Sequence, residues 1–266
     1  MEEETTTLSP AERSRKNQFL VLLVVALPIV ANWLWGETLV LWGMLLMLPW
    51  AMRADRLRTA HLIVILLASY LVPGLFPTAP SFLVEKVSGV LVYLYLAVLI
   101  TPLRQSLDWF RPGRINWSNA GLAIVVAAFS AAGLIAWVHF ANPHMAYYAR
   151  ILPHAPPWRL AIYMGGFAVV NSLIEEIIWR GVMMSALDAA FSAGVFSLLV
   201  QSISFGLAHF RGGFPSGWAG AFLAGLFGLA MGLLRRRTKG LLTSWCVHTI
   251  ADLTVIGLIV HFAHRG

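Results

Sequence analysis

Charge is scarce in this chain. Asp, Glu, Lys and Arg make up 12% of its 266 residues, against about 25% in ordinary soluble domains. So little charge cannot cover a water-soluble core of this size, which excludes an ordinary soluble enzyme. Acidic residues are the scarcer sign, 12 against 19 basic, for a formal net charge of +7. Cysteine is nearly absent. Cys246 is the single thiol, which excludes an intrachain disulfide and a Cys-rich metal site; within its apolar run it reads as a small packing residue. No cleavable signal peptide is expected, because the Met1–Glu4 start is acidic and further apolar runs follow.

Hydrophobic residues are abundant, at 59% with a mean hydropathy of +0.75. Apolar runs fall near 18–35, 38–52, 60–76, 87–103, 119–140, 160–188, 192–210, 217–234 and 241–262. Runs of about 20 residues match a bilayer. The predicted fold is therefore all-α, a polytopic transmembrane helical bundle with about 8–9 spans. Pro28, Pro49 and Pro73 predict kinks, which membrane helices tolerate when freed backbone groups find partners.

The basic residues are clustered between the runs: Arg13, Arg15 and Lys16; Arg53, Arg56 and Arg58; Arg104, Arg111 and Arg114; Arg235, Arg236, Arg237 and Lys239. That is the topogenic pattern, in which Lys and Arg mark cytoplasmic loops. It argues against a nucleic-acid partner and places the N-terminus in the cytoplasm of a multi-pass protein, most simply in a prokaryotic cytoplasmic membrane. Membrane lipid is then the obligatory partner; no feature of the sequence marks an oligomeric state. Residues 1–17 form a tail, 18–140 a first helical half, 141–159 an extramembrane loop rich in proline (Pro143, Pro153, Pro156, Pro157), and 160–262 the core that carries the chemistry. Trp33, Trp35, Trp109, Trp117, Tyr147, Tyr148 and Trp158 fall near run ends and read as an interfacial belt.

Ionisable side chains at mid-bilayer cost roughly 2.5–3.5 kcal/mol each and so default to functional hypotheses. One run reads Asn171 through Arg180. On a helix Glu176 and Arg180 share a face and can pair, whereas Glu175 points about 100° away, toward a cavity with Asn171 one turn earlier. Phe205 and His209 stand four apart on the next helix, and His248 and Asp252 four apart on the last. Measured from loops on one side, Glu175 lies roughly 20 Å deep, His209 roughly 26 Å, His248 roughly 12 Å and Asp252 roughly 18 Å, so modest tilt brings them together. An isolated buried histidine is more often a packing residue; two carboxylates and two histidines at matching depth are not. His61, His139, His144, His154, His261 and His264, at run ends or in loops, read as solvated or interfacial. Gly220, Gly225, Gly228 and Gly232 read as close helix packing.

These runs resemble the CAAX protease and bacteriocin-processing family of intramembrane endopeptidases, related to the Ras-converting CAAX prenyl endopeptidase. Its three signatures stand here as Glu175-Glu176-Ile177-Ile178-Trp179-Arg180, Phe205 through His209, and His248 through Asp252, within about residues 160–255. The resemblance implies hydrolysis of a peptide bond in a membrane-associated protein or peptide, near one of its ends. Glu175 would activate water, His209 would hold or polarise it, and His248 with Asp252 would stabilise the oxyanion. Glu176, Arg180, Asn171 and Phe205 would support the site. Asp252, where some members carry Asn, would either be protonated in its buried setting or, as favoured, orient His248 by accepting its other N–H. No cofactor is expected. A zinc peptidase built from the same residues is the nearest alternative, although the H-E-x-x-H arrangement is missing; a proton-coupled transporter is the next, although no inverted repeat is seen.

Overall fold

The computed structural model describes residues 10–34, 37–75, 82–141, 143, 145, 152 and 155–263. Among them the secondary structure is entirely helical: α1 (Pro10–Leu34), α2 (Glu37–Ala51), a 3-10 turn (Ala54–Arg56), α3 (Leu57–Gly74), α4 (Phe82–Leu99), the short α5 (Thr101–Gln105), α6 (Trp117–Ala141), α7 (Pro157–Phe191), α8 (Val195–Ala208), α9 (Gly217–Thr238) and α10 (Leu242–Ala263). Pro157 opens α7 at a first-turn position that has no use for a backbone N–H.

Four helices, α6, α7, α9 and α10, are long and apolar enough to cross a membrane by length and composition. The predicted 8–9 spans reduce at this level to those four plus shorter apolar helices, including the 14-residue α8. Their outer faces suit lipid: Phe129 is 77% exposed and Phe140 83%, an arrangement untenable in water but ordinary against acyl chains.

α7 is the central element. One face, Ile174, Ile177, Val182, Ala186 and Leu187, merges with Leu20, Val24, Leu62, Ile65 and Tyr93 of the first half into one core. Its other face meets α8 and α10 and carries the polar groups. Lipid tails are as apolar as leucine, so close packing rather than water exclusion holds such helices together. The glycines on α9 serve that purpose. A Cβ on Gly206 of α8 would collide with the Ala221 carbonyl oxygen and fall 3.1 Å from Gly225, and one on Gly228 would fall 3.2 Å from the Phe205 ring.

The basic clusters meet at one end of the bundle. Arg58 bonds Asp108, and the amide of Arg114 donates to the Thr238 carbonyl at 2.6 Å. Arg236 reaches Asp188 at 2.6 Å and the Gly194 carbonyl at 2.8 Å, while Gln18 of α1 donates to the Ala190 carbonyl at 3.1 Å. The 106–116 segment is stapled to the α9–α10 turn so closely that a Cβ on Gly240 would collide with the Gly113 nitrogen.

Three sequence expectations are corrected here. Trp109 is 2% exposed, not interfacial, whereas Trp117 and Trp158, at 93% and 61%, face outward. The side chains of Trp33, Trp35, Tyr147 and Tyr148 lie outside the described residues, as do His144, His154 and His264. His61 is buried rather than solvated, with Nδ1 2.9 Å from the Tyr93 hydroxyl and Nε2 3.0 Å from Ser106 Oγ and 3.1 Å from the Leu103 carbonyl. A polar cluster from α4 and α5 satisfies it, which no local pattern at residue 61 reveals. Cys246 is exposed and does not pack inward: on α10, residues 245, 248, 249 and 252 share the face turned to α7, and 246 lies off it.

Candidate active site

The helical periodicity of α10 sets up the site. Trp245, His248, Thr249 and Asp252 follow the i, i+3, i+4, i+7 rule, and each meets α7. Trp245 Nε1 donates to the Val169 carbonyl at 3.0 Å, and Thr249 and Ser172 hydroxyls pair at 2.8 Å. Asn171 Nδ2 donates to Asp252 Oδ2 at 3.1 Å. His248, only 3% exposed, stands between two carboxylates of α7. Its Nδ1 is 2.9 Å from Glu176 Oε1, and its Nε2 is 3.5 Å from Glu175 Oε2 and 3.8 Å from Asp252 Oδ1.

Adjacent glutamates on a helix diverge by about 100°, so both reach one side chain only if that side chain is wide. The imidazole is wide enough, with one nitrogen for each. Glu176 also holds Arg180, with Oε1 3.3 Å from Nη1 and both side chains 0% exposed. An ionised carboxylate only accepts hydrogen bonds, so the Nδ1 proton sits on the ring and donates to Glu176. Nδ1 thus faces Glu176, while Asp252 stands on the Nε2 side, 3.8 Å away, with its other oxygen held by Asn171.

Around this polar core lies an aromatic collar. The Arg180 guanidinium sits 4.3 Å above the Phe205 ring, a cation–π contact that partly replaces lost hydration. Phe205 also meets Trp179, His209 and His248 at centroid distances of 5.2, 4.7 and 5.9 Å, and Phe227 of α9 stands edge-on to His248 at 5.1 Å. His209 terminates α8 as its C-cap, with Nδ1 3.0 Å from the Phe205 carbonyl oxygen. The predicted run to residue 210 therefore ends at Ala208, and His209 faces a turn in which a Cβ on Gly213, at φ +89°, would fall 3.2 Å from the imidazole. All eight residues singled out from the sequence belong to this one neighbourhood, Phe205 linking the His209 side to the His248 side.

One feature escapes sequence reading. From Glu176 to Met183 the chain of α7 is a π-helix. Such wide turns are rare and occur mostly at functional sites. Here it carries Glu176, Arg180 and Gly181, and the only sequence hint is the glycine beside the buried arginine. Among the described residues no group of three or more His, Cys, Asp or Glu has a geometry suited to a metal ion.

Residues 156–254 match the family model described as type II CAAX prenyl endopeptidase Rce1-like. Over those residues the chain is similar to the Rce1-like family. The match begins at the start of α7 and ends two residues past Asp252, so the Rce1-like region contains every residue of the site and none of α1–α6. No curated protein and no solved structure matches the chain. The family is one of membrane proteases, in agreement with the apolar helices.

Proposed function

We propose that the chain is an intramembrane endopeptidase that hydrolyses a peptide bond near the C-terminus of a membrane-associated protein or peptide, using water activated by Glu175. The observation that carries the reading is His248, buried among helices and gripped by Glu176 at one nitrogen and Glu175 at the other. Glu175 takes a proton from water as the oxygen attacks the carbonyl carbon. His248, its Nδ1–H fixed on Glu176, carries a second proton on Nε2 in its charged form and, keeping it, hydrogen-bonds the developing oxyanion through that N–H. Such donors act most strongly where water is scarce. When the tetrahedral intermediate collapses, the C–N bond breaks and the amine leaves with the proton held by Glu175. Asp252, aligned by Asn171, balances charge on the Nε2 side, and His209 polarises the attacking water.

The same reading sets the protein in a cell membrane as a multi-pass bundle of about 8–9 spans, with the shorter apolar helices packed among the four long ones. The arginine-rich end, where α1 begins and the α7–α8 turn lies, is then cytoplasmic. Similarity to CAAX prenyl endopeptidases makes a peptide with a prenylated cysteine near its C-terminus the first substrate to try. The test compares purified wild type with Glu175→Ala on that peptide and on its unprenylated counterpart. Cleavage by the wild type alone is expected; equal turnover by both proteins removes the assignment of Glu175.

A further inference from the structure

The π-helical turn Glu176–Met183 contains Gly181, next to Arg180. A Cβ there would fall 2.5 Å from Cε3 and 2.9 Å from Cζ3 of Trp109, closer than real side chains approach. Trp109 belongs to neither α7 nor the Rce1-like match; it comes from the 106–116 segment of the first half, where the sequence places an interfacial residue. Resting on the protease reading above, we propose that Trp109 is a positioning residue for the reaction. Its indole, wedged against the bare Cα of Gly181, holds the π-helical turn that aims Glu176 at His248 and Arg180 at Glu176, and sets the angle of Glu175.

The wedge is anchored on each side. Behind it, Tyr93 stacks on Trp109 at 6.4 Å and 21°, and the Tyr93 hydroxyl is fixed by His61, itself fixed by Ser106 and the Leu103 carbonyl. Before it in sequence, Asp108 bonds Arg58 of α3 and accepts from Ser185 of α7 at 3.3 Å. After it, the carbonyls of Arg111 and Pro112 accept from Leu241 and Leu242 at the start of α10, at 2.9 and 3.1 Å. The segment therefore grips two of the three helices that bear the site, α7 through Ser185 and Gly181, and α10 through its first turn. A packing tryptophan needs none of this. An indole pressed on the single glycine of a π turn fixes where the neighbouring charged groups point.

The experiment uses the full chain in detergent or nanodiscs, the prenylated peptide as probe, and Gly181→Ala, Trp109→Leu and the double variant. A misplacement of about 1 Å can cost a hundredfold in rate. Gly181→Ala is expected to lower kcat by about ten- to a hundredfold with KM within about twofold, and to displace the pH–rate profile. In the Trp109→Leu background, where the benzo ring is gone, the same alanine should cost less than about threefold. A Gly181→Ala enzyme with kcat within about threefold of wild type, or an equal penalty in both backgrounds, overturns the proposal. Where a variant does not fold, hydrogen exchange decides in Trp109→Phe. Amides 176–183 should exchange at least about fivefold faster, and unchanged exchange overturns it. Equal turnover by wild type and Glu175→Ala removes the protease reading instead, and the exchange measurement still decides whether Trp109 holds the turn.

Discussion

Arg180→Met tests the polar core without touching the groups proposed to act on substrate. Arg180 and Glu176 are both fully buried and pair at 3.3 Å, with the guanidinium over Phe205. Methionine fills much of the space but leaves the Glu176 carboxylate without the guanidinium, with only His248 beside it. Breaking a buried pair by removing one member costs about 3–5 kcal/mol, and a desolvated cation–π contact adds about 1–2 kcal/mol. With about 2–4 °C per kcal/mol for a chain of this size, Tm should fall by about 10–20 °C in a detergent unfolding scan. The double variant Glu176→Gln with Arg180→Met removes both charges, and replacing a pair by neutral groups is often nearly costless. It should recover more than half of the loss. The residual deficit reports the weakened bond from His248. A single variant within about 3 °C of wild type, or a double variant no better than the single, would show that the pair is not the buried charge lock described.

Asp108 gives a pH prediction at the basic end of the bundle. Burial opposes its ionisation, but the hydrogen bond and charge of Arg58 outweigh that and hold the carboxyl below the usual range. A folded-state value below the unfolded one means the bond stabilises fully above about pH 4 and is lost as pH falls further. Wild type should therefore lose its stability advantage over Asp108→Asn progressively as pH falls below about 4, and parallel Tm curves would contradict this. A second prediction separates the zinc alternative. Cleavage should survive exhaustive dialysis against a strong chelator, and loss of activity restored by added zinc would favour the metal reading. A third concerns His248→Gln, expected to lower kcat by about 10²–10³-fold, as for other oxyanion donors, and an unchanged kcat would remove His248 from that role.

The site was legible in the sequence because Glu175, Glu176, Arg180, His209, His248 and Asp252 are chemically conspicuous in an apolar background, and helical spacing places them on facing surfaces. Their membership in one cluster followed from depth along the helices. Partner choice did not, since whether Glu176 or Asp252 takes the Nδ1 proton depends on ring orientation rather than on spacing. The π turn was illegible for a related reason. Residues 176–183 read as ordinary helix, and the departure is enforced from residue 109, far away in sequence. His61 was misplaced by its position near a run boundary, since Tyr93, Leu103 and Ser106 bury it only in three dimensions. Helix order was readable from hydropathy, but the number of full crossings was not, because α2 and α8 are 15 and 14 residues long, shorter than the about 20 a bilayer needs.

The most direct test of the chemistry is a single turnover in water enriched in oxygen-18, followed by mass spectrometry of both peptide and enzyme. Attack by water held on Glu175 places one heavy oxygen in the new C-terminal carboxylate of the product and none in the enzyme. Heavy oxygen found in the side chain of Glu175 would mean that the carboxylate itself attacked the peptide, and the account of an activated water would be wrong.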